Sequence, residues 1–149
     1  MVGPAPATEG DDPAIPDEES LLRRLSDAGP NMVAVDPLTG ARRPSSGAFK
    51  PDPDISVYRS SVLAAHDLDA RALLKAPQNL VVSIDVADVR HHASLGVCDD
   101  PWPQDVDDPN HPRNAAHALI VGWAGLTKSQ RRERQRALTT APSLRFVVG

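Results

Sequence analysis

Residues 79–86 read NLVVSIDV, and this stretch decides the fold. Leu80, Val81 and Val82 follow one another without a polar break, so the segment predicts a strand buried on both faces. Working outward, AHALIVGW at 116–123 predicts a second good strand and SLRFVV at 143–148 a closing one. ISVYRSSVL at 55–63 reads as a strand with Ile55, Val57 and Arg59 on one face and Ser56, Tyr58 and Ser60 on the other. VCDD at 97–100 adds a brief strand.

Helical signals fall between these. DEESLLRRLSDAGP at 17–30 predicts a short helix: Asp17 caps it, Leu21, Leu22 and Leu25 form a stripe, and Gly29-Pro30 stops it. DLDARALLKA at 67–76 predicts a helix ending before Pro77, and ADVRHHASLG at 87–96 a helix with Gly96 as its left-handed stop. Thr127 and Gln130 have capping-box spacing and start a helix running to about Thr140. NMVAV leads into a turn at 36–40 and a second extended stretch, but Pro44 bars 42–47 from a central strand. The sum is an α+β single domain over 17–149, a small mixed sheet with helices packed on it, with three-layer α/β as the alternative. Residues 1–16, acidic and Pro-rich, are expected to be a disordered tail.

The chain has 149 residues, 40% of them hydrophobic but only 3% aromatic, so Leu, Val, Ile and Ala must build the core. Trp102, Trp123, Phe49, Phe146 and Tyr58 are its few bulky anchors. A net charge of -4 argues against general binding to nucleic acid or anionic membrane. Cys98 is alone, no apolar run is long enough to span a bilayer, and the N-terminus lacks a secretory signal, so a soluble cytoplasmic protein is expected. The Ala, Arg, Asp and Pro bias suggests a bacterial source.

Several residue groups could carry chemistry. His91, His92, His111 and His117 interleave with Cys98, Asp99 and Asp100, but the spacing fits no standard zinc pattern. A site from His111, His117 and Asp99 is the weaker metal alternative to side chains that cap turns. His117 heads an apolar strand and could move a proton. If Arg59 and Arg90 converged on it, the three would make an Arg/His pocket for a phosphate or carboxylate, with Ser45 and Ser46 as further donors. The competing reading is a buried, hydrogen-bonded His117 with arginines in internal ion pairs. Cys98 is followed by two aspartates, which raise a thiol pKa. Arg131, Arg132 and Arg134, with Lys128 and Arg136, make a basic helix for an acidic partner or RNA backbone, although Glu133 interrupts the run. The opposing view is a solvated face answering the aspartates of 99–108. No hydrolase elbow, phosphate loop or HExxH occurs, and no cofactor is implied.

RRPSSGAF and NAAHALIVG, with ISVYR between them, resemble signatures of short bacterial proteins to which no activity is attached; the likeness spans roughly residues 40–125. ISVYR with its serines is also similar to the opening strand of ADP-ribosyltransferase-like toxins. That resemblance implies a later catalytic glutamate, and Glu9, Glu18, Glu19 and Glu133 end no good strand, so no catalytic residue carries over. The expected function is an accessory protein binding another protein of its pathway, self-association being a further option. The alternative is a small enzyme or ligand-binding protein built on the Arg/His pocket.

Overall fold

The computed structural model describes residues 8–27, 32–75, 77–102 and 111–148, without the side chains of 111 and 112. In chain order the elements are β1 (Ser20–Leu25), β2 (Val33–Val35), β3 (Arg42–Pro44), β4 (Ile55–Arg59), α1 (Ser60–Ala65), β5 (Leu80–Asp85) and α2 (Val86–His91). Then come β6 (Gly96–Asp99), α3 (His111–Asn114), β7 (His117–Val121), α4 (Lys128–Thr139) and β8 (Arg145–Val148). Short 3-10 turns cover Ser46–Phe49 and Ala70–Leu73. One six-stranded sheet runs β6-β7-β4-β1-β5-β8, and β2 and β3 form a separate ribbon. Neighbouring strands of the large sheet all pair antiparallel, so the α+β expectation holds and the parallel units of a three-layer α/β fold are missing from it.

β5 is buried on both faces, as its unbroken apolar run requires. Val82 and Ile84 join Leu21, Ile55, Val57 and Ile120 in the larger core, which α2, α4, Phe49 and Trp123 cover. Val81 joins Leu22, Tyr58, Leu63 and Leu73 beneath α1 and the 70–73 turn. Each buried Leu, Ile or Val contributes roughly 1.5–3 kcal/mol. The faces expected for Ile55, Val57 and Tyr58 are the observed ones. The strand stops at Arg59, and Ser60 opens α1 instead of extending it.

β1 corrects the helix expected at 17–30. Leu21, Leu22 and Leu25 fit a helical stripe, but they also fit a strand covered on both faces, with Leu21 and Leu25 in one core and Leu22 in the other. Two extended neighbours settle it: β1 pairs with β5 from Ser20↔Asp85 to Leu25↔Leu80, and with β4 on its other side. The arginines inside it are held by distant acceptors. Arg23 donates to the carbonyls of Ala48 and Ser56 (2.6 and 2.8 Å), and burial lowers its pKa to about 10. Arg24 reaches the Leu73 carbonyl and the Tyr58 hydroxyl. The Gly29-Pro30 stop lies outside the described residues.

Residues 8–16 correct their part of the disordered tail expected over 1–16, and residues 1–7 lie outside the described residues. Ile15 is buried in the larger core, and Asp11 and Asp12 bond Val97 on the outer edge of β6 (Val97 N to Asp11 Oδ1, 2.8 Å; Asp12 N to the Val97 carbonyl, 2.8 Å). This covers a strand edge that would otherwise present bare donors and acceptors. The helix expected at 67–76 shrinks to the 70–73 turn, with Asp69 accepting from the Arg71 amide. After α2 the left-handed residue is Ser94 (φ 56°), and Gly96 is a strand residue. α4 carries the predicted capping box, both bonds formed between Thr127 and Gln130.

Candidate functional site

Arg59, Arg90 and His117 do not converge. Tyr58 pairs with His117 on the face beneath α1, and alternation along β4 turns Arg59 to the opposite face. There Arg59 binds both oxygens of Asp99 (2.9 and 3.0 Å) and Glu19 (3.1 Å). Glu19 also accepts from the Ser61 amide and hydroxyl, so this buried carboxylate is satisfied. Burial opposes the Arg59 charge, but the bonds to Asp99 and Glu19 outweigh it and raise its pKa.

Arg90 has a structural task of its own. It donates to Asp11 (3.1 Å), Asp17 (2.8 Å) and the carbonyls of Asp12 and Ile15 (2.7 Å each). One guanidinium therefore clasps the whole 11–17 segment to α2. The Asp17 side chain, expected as a helix cap, accepts from Arg90 and contacts His91 (3.0 Å), and these bonds lower its pKa.

His117 is 1% exposed. Trp102 stacks on it at 3.8 Å between ring centres, and Tyr58 meets it edge-on at 5.5 Å. Its Nδ1 lies 2.8 Å from the Asp100 carbonyl, an acceptor that fixes the proton on Nδ1 in the neutral ring. Nε2 is buried with no hydrogen-bond partner among the described residues. Burial lowers its pKa despite the nearby Asp100, so the ring is neutral near pH 7. His111's side chain lies outside the described residues, Asp99 is occupied by Arg59, and no group of three metal-ligating side chains occurs among the described residues. Burial pushes the Cys98 thiol up, and Asp100, Asp54, Asp99 and Asp12 add to it, which fits an unreactive cysteine.

The basic helix organises differently from its sequence order. Successive residues turn about 100° around a helix, so Lys128, Arg132 and Arg136 form one continuous stripe. Gln135 on that flank donates to the Ser46 carbonyl at 3.2 Å, which turns the stripe toward the 46–49 turn. Glu133 lies on the other flank with His92 and Arg134, where Arg134 reaches the Ala93 carbonyl at 3.3 Å. It does not interrupt the stripe. Arg131 lies closer to the buried Leu138 side and is half-buried.

The stripe ends in a cleft of about 440 Å³ between the β2–β3 ribbon and the C-terminus of α4. Arg43, Ser45, Ser46 and Arg136 line it, with Thr139 and Thr140 behind. The Arg43↔Ala34 register and the bond from the Ser45 amide to the Met32 carbonyl (2.9 Å) fix its near wall. Lys128, Arg132, Arg136 and Arg43 are exposed, and none has a salt-bridge partner among the described residues. Ser45 and Ser46 thus sit with Arg43 and Arg136 rather than with Arg59, Arg90 and His117. Arg43 was missed because only folding brings it beside a helix some ninety residues later. No family model matches the chain, and no curated protein or solved structure matches it either.

Proposed function

We propose that the protein works by binding rather than by chemistry, docking an acidic surface of another protein on the Lys128-Arg132-Arg136 flank of α4. The observation that carries this reading is the charge arrangement of α4, which runs against the stability of the helix itself. Like charges four residues apart destabilise a helix by about 0.2–0.5 kcal/mol per pair. The stripe contains two such pairs, and the first turn, where the dipole favours acids, has none. Glu133, three residues before Arg136, offsets part of these costs, but among the described residues no carboxylate forms a salt bridge with the stripe, since Asp99 is taken by Arg59 and Asp100 faces His117. An acidic partner would offset them on binding.

Ile15 and Asp11 belong to the domain, so residues 8–16 are not free to fold on a partner and the reading rests on α4. The test compares the full chain with a Lys128→Gln, Arg132→Gln, Arg136→Gln variant, each crosslinked and purified from the natural host. A polypeptide recovered with the first and depleted about tenfold or more from the second, on the scale of a lost charged contact, supports the reading. Equal recovery with both defeats it.

A further inference from the structure

We infer that the cleft at the end of the stripe binds a phosphate monoester dianion, an inference that rests on the acidic-partner reading and names the group its partner would present. Four clefts can be compared. The one beside Gly122 contains Glu9 and Asp54, the one in the 35–43 loop contains Asp36, and the small one by His92 contains Glu133. In the fourth, Arg43 and Arg136 face hydroxyl groups with no carboxylate in the lining. Two guanidinium groups with no salt-bridge partner among the described residues therefore line one concave site on a chain whose net charge is -4.

The donor set fits phosphate better than carboxylate. A carboxylate carries one charge, which a single bidentate arginine neutralises. A phosphate monoester carries about -1.5 to -2 charges near neutral pH and three terminal oxygens. Two guanidiniums match that charge, and the hydroxyl of Ser46 can supply the third oxygen's donor. The C-terminus of α4 opposes an anion, but only with about half a charge. Its last carbonyls are also partly engaged, since the hydroxyls of Thr139 and Thr140 donate to the carbonyls of Arg136 and Ala137 (2.7 and 3.2 Å). Two full charges outweigh that half. At about 440 Å³ the cleft has room for the ester's organic group as well.

The stripe gives the ligand a direction. Lys128 to Arg136 spans about 12 Å of helix, the length of three or four extended residues. A phosphorylated serine flanked by acidic residues would place its phosphate in the cleft and its carboxylates along Lys128 and Arg132.

Calorimetric titration of the full chain tests this with three probes: O-phosphoserine, a peptide with one phosphoserine flanked on both sides by aspartates, and the same peptide unphosphorylated. Phosphorylation should tighten peptide binding about tenfold, the scale of one or two charge-assisted bonds. Arg43→Gln with Arg136→Gln should erase that difference. Arg132→Gln should weaken both peptides and keep it. Equal binding of the two peptides, or a preference that survives Arg43→Gln with Arg136→Gln, overturns the inference. If Arg132→Gln still weakens the unphosphorylated peptide in that case, the acidic-partner reading stands alone. If O-phosphoserine binds as tightly as the phosphopeptide, in an Arg43-dependent way, the cleft is a phosphate site for a small ester and the acidic-partner reading falls. Binding of none of the three probes removes both.

Discussion

Arg132→Glu should stabilise the protein. Arg132 is exposed and has no salt-bridge partner among the described residues, so the substitution forfeits no ion pair among them. It removes two repulsive pairs, with Lys128 and with Arg136, worth about 0.2–0.5 kcal/mol each. It also creates two attractive pairs of similar size, the one toward Arg136 in the favourable order of acid before base. The sum is roughly 1 kcal/mol at low ionic strength, which for a domain of this size raises Tm by about 3 °C. Arg132→Gln removes only the repulsion and should give about half that rise. Calorimetric melting in low salt and again in about 0.5 M salt, where the Debye length falls to about 4 Å, checks both size and origin. A Tm that stays level or drops in low salt would refute the reasoning. So would a rise that survives undiminished in high salt, because it would then not be electrostatic. A gain in stability joined to a loss of partner binding is the signature of a residue kept for its surface role.

Other perturbations probe the frame around the site. Arg90→Met should cost about 3 kcal/mol, the scale of a broken part-buried ion pair; urea unfolding gives the number, and limited proteolysis should show new cleavage within residues 11–17. Gly122→Ala should destabilise by about 1–3 kcal/mol, because φ there is 106° and a Cβ would stand 2.5 Å from Thr8 Cγ2; an unchanged denaturation midpoint would count against the described position of Thr8. His117 makes stability depend on pH. The unfolded imidazole takes a proton near pH 6.5 that the buried ring resists, so stability falls as pH drops through that value toward the lower folded pKa. His117→Phe keeps a ring between Trp102 and Tyr58 and should flatten the fall between about pH 7 and pH 5, measured as urea midpoints. A variant falling as steeply as the parent protein would assign the effect to another group.

Much of the sheet was readable in the sequence. The apolar run of β5, the alternation along β4 and the Thr127 capping box act through near neighbours, so residues close in sequence carry the whole signal. β1 was not readable, because Leu-Leu-Arg-Arg-Leu satisfies a helical stripe and a two-faced strand alike. What separates the two is where Arg23 and Arg24 find acceptors, and those are the Ala48, Ser56 and Leu73 carbonyls and the Tyr58 hydroxyl. The N-terminal acids read as a solvated tail for the same reason: Arg90, which fixes Asp11, lies 79 residues away.

The basic residues of the α4 helix and the RRPSS segment were each visible as possible binding groups, but not as one surface. Sequence by itself determined which residues alternate, which cap and which carry charge, since propensity and periodicity are local. Only the tertiary structure decided which charges are spent and which are left over. Arg59 and Arg90 are consumed by carboxylates folded onto them, whereas Arg43 and Arg136 are brought to one cleft that no carboxylate of the described residues lines. The physical reason is that a charge is neutralised by contacts within a few ångströms, and those contacts are set by the folded chain rather than by its order.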